Sequence, residues 1–387
     1  MTNNILPRGY KDSPLGIIPK EWEVKRILDF APLQRGFDLP TDKIISGKYP
    51  VVYSNGILNH HCECKAKGPG VVTGRSGTIG KVTYVESDYW PHNTSLWVTD
   101  FCGNNPKFVF HVYQYIDLAK FASGSGVPTL NRNDVHVSKV AVPPKQEQNR
   151  IVEVLELWDT AIEKQSELIE KFKLRKRALM QQLLTGKKRL PGFSGEWKHV
   201  PIKTFAKEVS NRNVGGANHI VLSCTKYDGL VPSLEYFGKQ IYSNDLSSYK
   251  IIPQGHFAYA TNHIEEGSIG YQSNYENGLI SPMYTVFVTN KEKVNDTFLY
   301  AVLKSHHLIY QYKSMMEGSI NRRGGLRWDS FSTIKIDLPS LEEQNVIASV
   351  LVKADEEIEL AKEKLSNLQA QKRGLMQQLL TGKKRVV

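Results

Sequence analysis

The sequence of 387 residues has few cysteines and no long apolar run. A membrane-spanning helix needs about 18 or more consecutive apolar residues, and no such stretch occurs. The N-terminus, Met1-Thr2-Asn3-Asn4, does not open the charged and then apolar pattern of a signal peptide. Four scattered cysteines exclude a disulfide framework and suit a reducing compartment: Cys62, Cys64, Cys102 and Cys224. We therefore expect a soluble, cytoplasmic protein with no membrane partner.

Motifs for catalysis and metal binding are also missing. The run His60-His61-Cys62-Glu63-Cys64 contains zinc-ligand residue types, but a structural zinc site needs four converging ligands, usually as two separated pairs. The glycine-rich run Gly74-Arg75-Ser76-Gly77-Thr78-Ile79-Gly80 precedes a strand-like segment and does not open a helix, so the context of a phosphate-binding loop is absent. No Asn-Pro-Pro-Tyr-type run suits an amino-methyltransferase. We expect no catalytic residue, no metal site and no cofactor on this chain.

A long internal repeat is the strongest feature that the sequence does contain. Residues 179–189 read Leu-Met-Gln-Gln-Leu-Leu-Thr-Gly-Lys-Lys-Arg and return unchanged as residues 375–385, at an offset of 196. The match extends backward to Glu147-Gln148-Asn149 and Glu343-Gln344-Asn345. Solenoid repeats have periods of roughly 20–50 residues, so this period indicates a duplicated half-protein.

Each copy of the repeat is predicted to form one long helix. Steps of four and three from Ile151 and from Ile347 land mostly on apolar residues, which is the 3.5-residue period of a coiled coil. Thr-Gly then ends each helix, and Lys-Lys-Arg follows where the helix dipole favours cations. Lys176 and Lys372 occupy the same position in the two seams, which suggests that they set a register. We predict that the helices pair as an antiparallel coiled coil; the alternative is two amphipathic helices on separate domains.

The two intervening regions are predicted to be α+β domains. Short β-rich runs separated by Gly, Asn and Pro dominate the first, and one helix is expected within residues 105–121. The second resembles it loosely: Trp97 aligns with Phe287 at an offset of 190, and Leu130 with Leu326 at 196. The predicted organisation is a pseudo-twofold repeat of four segments: residues 1–143, 144–190, 191–339 and 340–387.

The formal net charge is +11, and all four segments contribute to the excess. A basic protein of this kind favours a polyanionic partner, and a dispersed excess suits contacts with nucleic acid at several places.

This order of domains and helices resembles the specificity (S) subunit of bacterial type I restriction-modification enzymes. The similarity rests on Pro143-Pro144-Lys145-Gln146-Glu147-Gln148 at the helix start and on the repeated helix end. The run Gly124-Ser125-Gly126-Val127-Pro128-Thr129-Leu130-Asn131 is also similar to the ends of that family's target-recognition domains. The second domain departs from this pattern, with Gly318-Ser319-Ile320-Asn321-Arg322-Arg323 in its place.

The resemblance implies that each domain reads one half of a split double-stranded DNA target. Because the domains differ in sequence, the target should be asymmetric. The helices would act as a spacer and dock methyltransferase subunits, two in number, through which restriction and translocase subunits join. S-adenosylmethionine, ATP and Mg²⁺ would belong to those partners. The alternative from another class is a non-catalytic coiled-coil adaptor that joins two protein-binding domains.

Candidate DNA contacts are Arg, Asn, Gln and similar side chains on glycine-flanked loops, because such groups read base edges. Each could instead contact phosphate or only solvent, as could Lys65, Lys67 and Lys81. In the first domain the candidates are Gln34, Arg35, Asn55, Arg75, Ser76, Asn131 and Arg132. In the second domain they are Asn211, Arg212, Asn262, His263, Arg322, Arg323 and Arg327.

Overall fold

The structure is a computed structural model that describes residues 6–124, 126–317 and 325–386. The chain divides into two compact units, Met1–Glu167 with Ala361–Val387, and Leu168–Leu360. Each unit contains one globular region and parts of two long helices. Within the described residues, no helix is both long enough and apolar enough to span a membrane.

The first unit is mainly β-structure with short helices. Its strands are β1 (Tyr10–Ser13), β2 (Gly16–Pro19), β3 (Glu23–Arg26), β4 (Leu33–Arg35), β5 (Tyr49–Tyr53), β6 (Gly56–His61), β7 (Gly70–Gly74), β8 (Val82–Val85), β9 (Trp90–Pro91), β10 (Ser95–Val98), β11 (Ala122–Ser123), β12 (Thr129–Leu130) and β13 (Lys139–Val142). Its helices are α1 (Ile27–Phe30), α2 (Pro106–Tyr115), α3 (Arg132–His136) and the beginning of α4 (Lys145–Leu183).

The main sheet of the first unit is antiparallel, in the order β4-β10-β7-β8, and a smaller sheet has the order β6-β5-β9. Helix α2 lies inside the predicted range 105–121, which confirms that prediction. It begins there because the Asn105 side chain caps the backbone N–H groups of Lys107 and Phe108, and Pro106 occupies the first turn. The core joins the main sheet to α2, and Leu155 of α4 and Leu379 near the C-terminus pack into it.

The second unit repeats this plan. Its strands are β14 (Lys198–Pro201), β15 (Ala206–Val209), β16 (Ile220–Thr225), β17 (Gly229–Pro232), β18 (Lys250–Pro253), β19 (Phe257–Ala260), β20 (Ile269–Tyr271), β21 (Asn277–Ile280), β22 (Tyr284–Thr289) and β23 (Lys335–Leu338). Its helices are α5 (Ser233–Phe237), α6 (Asp296–Leu303), α7 (His306–Glu317), α8 (Trp328–Phe331) and the beginning of α9 (Leu341–Leu380). The main sheet has the order β15-β22-β19-β20, strand for strand that of the first unit.

A shared turn sets the correspondence between the two main sheets. Ser95 N–H donates to His92 O at 2.9 Å just before β10, and Tyr284 N–H donates to Ser281 O at 3.0 Å just before β22. Ser95 and Tyr284 also pair with the last residue of the neighbouring strand in each unit, β7 or β19. They are therefore equivalent positions.

This correspondence corrects one sequence alignment. Two residues beyond the turn, Trp97 matches Val286, and both pack into the smaller cluster behind the sheet. Phe287 points instead into the main core of the second unit. The alignment of Trp97 with Phe287 is wrong by one residue, and a one-residue slip reverses the face of every strand side chain.

Both predicted long helices are confirmed: α4 has 39 residues and α9 has 40. In the first unit Lys372 Nζ lies 2.5 Å from Asp159 Oδ1, and Gln165 Nε2 donates to Ala361 O at 2.9 Å. Residue numbers rise along one helix as they fall along the other, so the segments are antiparallel. In the second unit Lys176 Nζ lies 2.5 Å from Asp355 Oδ1 and Arg175 pairs with Glu357, so these segments are again antiparallel.

A buried carboxylate holds the C-terminus in the first unit. Glu147 accepts hydrogen bonds from Trp22 Nε1 at 3.0 Å and from Arg385 Nη2 at 2.8 Å, and its side chain is only 6% exposed. The second unit repeats the pair, with Arg189 Nη2 at 2.7 Å from Glu343 Oε2. Thus the arginine that ends each repeated run is the ion-pair partner of a buried glutamate, and not only a charge at a helix end.

We predict that Glu147→Ala destabilises the first unit by about 3 kcal/mol, because it leaves the buried Trp22 indole N–H without its acceptor and the Arg385 guanidinium with only the exposed Glu21. Arg385→Ala should add little to Glu147→Ala, since both remove the same interaction. Hydrogen exchange of peptides from β3 and β13 measures the local unfolding free energy. Glu156→Ala is the matched control: the Glu156 ion pair with Lys107 is only half-buried and should contribute less than about 1 kcal/mol. Equal effects of the two glutamates would contradict the prediction.

A second prediction concerns His111, which is 1% exposed on α2. Burial lowers the pKa of this imidazole to about 4, and the nearby Lys372 ammonium adds to the effect, while Asp159 opposes it. Because the folded pKa lies below the unfolded value of about 6.5, the stability is present above pH 6.5 and is lost as the pH falls towards 4.

Between pH 7 and pH 4, the unfolding free energy of the wild-type first unit should fall by about 3 kcal/mol more than that of His111→Gln, which lacks the titrating group. Hydrogen exchange at intermediate pH values compares the two proteins. Parallel pH profiles would show that His111 is not held neutral.

Candidate nucleic-acid interface

Four strand ends lie together at one edge of the first main sheet. They are Arg35 of β4, Gly74 of β7, Val82 of β8 and Ser95 of β10. Ser95 pairs with Gly74, and the neighbouring pairs place the other two ends at the same level. We call these four residues and the loops that leave them the first sheet edge. Loops on such a rigid edge are suitable for ligand contacts.

Two predicted residues follow β7 at the first sheet edge. The backbone N–H groups of Arg75 and Ser76 both donate to Thr94 O, at 2.9 and 3.2 Å. The Arg75 carbonyl accepts from Leu130 N at 2.7 Å. These bonds bring residues 75–76 beside β12, and the next two residues are the predicted Asn131 and Arg132.

Those two residues begin α3. The Asn131 side-chain oxygen caps this helix by accepting from Asn133 N at 3.0 Å, so only its amide N–H groups remain to donate elsewhere. Arg132 is the first helical residue and is exposed. The sequence signal for Asn131 is thus explained in part by capping.

The remaining candidates of the first domain reach the same edge from other strands. Gln34 and Arg35 are exposed at the end of β4, and Arg35 Nη2 lies 3.3 Å from Asp38 Oδ1. Asn55 lies in the turn between β5 and β6, and its carbonyl accepts from Lys81 Nζ at 2.5 Å. This bond ties the turn to the loop that precedes β8.

The other two lysines considered for phosphate contacts have partners in the first unit. Lys67 Nζ lies 2.8 Å from Asp88 Oδ2, and that hydrogen bond raises the pKa of the ammonium. The Lys65 ammonium lies over the ring of Trp90, 5.0 Å from its centroid.

The second main sheet has an equivalent edge. Its strand ends are Val209 of β15, Ala260 of β19, Ile269 of β20 and Tyr284 of β22. The pairs Tyr284 with Ala260, Val209 with Val286, and Tyr259 with Ile269 place these ends together. We call them and the loops that leave them the second sheet edge.

Predicted residues Asn211 and Arg212 follow β15 at this edge. The Asn211 carbonyl accepts from Ile251 N at 2.7 Å, and Arg212 forms an isolated β-bridge with Lys250. Both predicted side chains are exposed. The loop after β15 is therefore fastened to β18 and presents two polar side chains.

Asn262 follows β19 and lies against the segment that carries Arg327. Leu326 N donates to Thr261 O at 2.8 Å, which repeats the bond from Leu130 to Arg75 in the first unit. Gly325 has φ +63°, and a Cβ there would lie 2.3 Å from Asn262 Oδ1. Only glycine fits this approach, which places the exposed Arg327 near Asn262. Arg322 and Arg323 lie outside the described residues.

His263 lies beside two acidic side chains. Its Nδ1 lies 3.5 Å from Glu266 Oε1, and among the described residues His263, Glu265 and Glu266 bring ligand-type atoms within 4.8 Å of one another. Two carboxylates beside the imidazole disfavour a close phosphate. Cys62 and Cys64, which the sequence offered as weak metal ligands, are free thiols in the first unit.

Sequence reasoning missed Met283 of the second sheet edge and Lys250 of β18 beside it. Lys250 Nζ donates to Tyr284 O at 2.7 Å. Burial lowers the pKa of this ammonium, and the nearby Arg212 lowers the pKa further, whereas Glu208 raises it. Met283 precedes β22 and is 60% exposed. Lys250 lies within an apolar run and Met283 is not a base-reading residue type, so neither carried a signal in the sequence.

Comparisons with known proteins identify relatives of this chain. The model of the family described as "Type I restriction modification DNA specificity domain" matches residues 19–171 and 203–370. The type I restriction enzyme MjaVIII specificity subunit of Methanocaldococcus jannaschii is 24% identical over 68% of this chain and 66% of its own length. A candidate MjaX specificity subunit of the same organism is 22% identical over 97% of both chains.

Two solved structures share the fold. A crystal structure of the type I restriction-modification S subunit from M. genitalium covers 93% of this chain and 96% of its own, with 14% identity and a TM-score of 0.56. A chain from a study of complex assembly and conformational transition in the type I R-M system covers 95% and 99%, with 14% identity and a TM-score of 0.58. The two matched segments contain both globular regions and most of both long helices, so the chain belongs to the type I restriction modification DNA specificity family.

Proposed function

We propose that this chain is the specificity subunit of a type I restriction-modification complex and that each unit reads one half of a bipartite double-stranded DNA target. The observation that carries the proposal is the pair of equivalent sheet edges. The strand order, the turn before β10 or β22 and the backbone bond donated by Leu130 or Leu326 are the same in both units. A shared scaffold with different loops is suited to reading two different sequences.

The side chains at the two edges support an asymmetric target. Because Leu130 N–H donates to Arg75 O and Leu326 N–H donates to Thr261 O, Ser76 corresponds to Asn262 and Asn131 corresponds to Arg327. Arginine pairs best with guanine, and asparagine or glutamine with adenine, in the major groove. The side chains at these equivalent positions differ, so the two halves of the target should differ.

The long helices serve as the spacer in this proposal. We propose that α4 and α9 pair along their length as an antiparallel coiled coil with pseudo-twofold symmetry, between recognition domains at residues 1–143 and 191–339. The reciprocal ion pairs support this: Lys372 binds Asp159 in one unit, and Lys176 binds Asp355 in the other. Each lysine and each aspartate has its repeat counterpart at an offset of 196.

Exposed residues that are identical in both repeats support a partner that docks twice. The exposed surface has diverged elsewhere, since Leu157 corresponds to Lys353. The last turns retain Arg177, Gln181 and Gln182, and again Arg373, Gln377 and Gln378, all exposed. Exposed positions are not held by packing, so we propose that two copies of one methyltransferase subunit bind there.

The chemistry is proposed to lie on these partners, with restriction and translocase subunits joined through them. S-adenosylmethionine, ATP and Mg²⁺ would be bound by the partner subunits in the cytoplasm. A methyltransferase must take its target adenine out of the base stack. The role of this chain is then to position that partner over one adenine in each half of the target.

A methylome tests the proposal. The chain is expressed with its cognate methyltransferase subunit in a host without adenine methylation, and modified adenines are mapped by sequencing. We expect one asymmetric motif of two short blocks around an unspecified gap, present only when the chain is present. An active methyltransferase whose motif does not depend on this chain would exclude the specificity role and favour an adaptor.

Arg327→Ala should lower the affinity of the complex for its target by about 1–3 kcal/mol and relax one position of one block, because a bidentate contact to guanine is lost. Competition binding against single-base variants of the target measures both effects. Lys198→Ala, at an exposed position on β14 outside the main sheet, is the control and should leave every position unchanged. A uniform loss of affinity for all sequences would show that Arg327 contacts phosphate instead. In that case the slope of log affinity against log salt concentration should also be lower by about 1.

A further inference from the structure

Met283 is a large apolar side chain at the second sheet edge, and 60% of it is exposed. An isolated exposed apolar residue is common on protein surfaces. Met283 differs from an ordinary surface residue in two respects: the rigidity of its backbone and the polar groups that surround it.

Three hydrogen bonds hold the backbone around Met283. Its N–H donates to Ser281 Oγ at 3.4 Å, and its carbonyl accepts from Thr261 Oγ1 at 3.0 Å. The next residue, Tyr284, closes the turn on Ser281 O and begins β22. The sheet therefore fixes where the side chain projects, although that side chain is mostly exposed and contributes little to the core.

The groups around Met283 are those proposed to read DNA. Thr261, which binds its carbonyl, is followed by Asn262 and accepts the N–H of Leu326, the residue before Arg327. On the other side, Lys250 Nζ donates to Tyr284 O at 2.7 Å. Met283 is thus held next to the segments that carry an amide, a guanidinium and an ammonium donor.

The equivalent position in the first unit has different chemistry. The shared turn aligns Met283 with Thr94, whose carbonyl likewise accepts from the strand end, here from Arg75 N at 2.9 Å. The Thr94 hydroxyl lies 3.0 Å from His92 Nδ1. The same turn therefore carries a small hydrogen-bonding side chain at one edge and a long apolar one at the other.

We propose that Met283 contacts the 5-methyl group of a thymine in the half of the target read by the second unit. This inference rests on the proposed function. The thymine methyl is the apolar group that base edges present in the major groove, and the flexible, polarisable methionine side chain adapts well to such a surface. The neighbouring donors would bind the adjacent base edges and phosphates.

Deoxyuridine tests the contact, because it pairs like thymine but lacks the methyl group. The chain in complex with its methyltransferase subunit is titrated with target duplexes in which each thymine of the second block is replaced in turn. One replacement should weaken wild-type binding about three- to tenfold. With Met283→Ala the same replacement should have no effect, whereas Met283→Leu should retain much of the sensitivity.

Leu234→Ala is the control, since Leu234 is also an exposed apolar residue of this unit, at 52%. Leu234 follows β17, at the end of the β16–β17 hairpin opposite the turn that contains Lys226. That turn is the end near the second sheet edge, because the carbonyls of Lys226 and Gly267 both accept from Lys304 Nζ. The Leu234→Ala variant should therefore leave the deoxyuridine effect intact.

The proposal is overturned if the second block contains no thymine on either strand, if no replacement weakens wild-type binding, or if Met283→Ala keeps the wild-type sensitivity. Those results leave the proposed function intact as long as the complex still discriminates its target from other sequences. A complex without such discrimination would instead refute the proposed function.

Discussion

The structure depends on a duplicated helix whose polar residues pair with the other copy. Within the first unit Lys372 binds Asp159, and within the second unit Lys176 binds Asp355. Each unit also buries one glutamate, Glu147 or Glu343, against the arginine that ends a repeated run. Lys372 is 8% exposed and Glu343 is 1% exposed, and a buried charge without its partner is costly. A shift of register along either antiparallel segment would leave several such charges unpaired, so the pairing specifies the alignment of the segments.

Duplication also explains why two similar scaffolds carry different surfaces. The strand order and the turn before β10 or β22 determine where the loops begin, and both are retained in the two units. The residues at the ends of the loops contribute little to the core, so they can change without loss of stability. Thr94 and Met283 illustrate this, because both carbonyls accept a hydrogen bond from the residue after the neighbouring strand while their side chains have different chemistry. Under the proposed function, recognition can therefore diverge while the spacer stays constant.

The sequence predicted the helices better than the sheets. An identical run and a 3.5-residue apolar period specify α4 and α9, because side chains along a helix report its packing face directly. The roles of Glu147 and Arg385 were missed because ion pairs distant in sequence leave no local pattern. Strand register is determined by pairing partners that periodicity does not identify, which is why Trp97 was aligned with the wrong residue. Most candidate loop residues do lie at the two sheet edges, since glycine and asparagine mark strand ends, but the sequence could not separate a cap such as Asn131 from a reading group.

The central claim is that each domain reads its own half of the target while the helices keep the gap constant. The most direct measurement exchanges residues 10–143 for the corresponding domain of another family member and maps methylated adenines in cells that contain the same methyltransferase. The account predicts that one block of the motif changes while the other block and the length of the gap stay the same. A change in both blocks, or in the gap, would show that recognition is shared between the domains and would contradict the account.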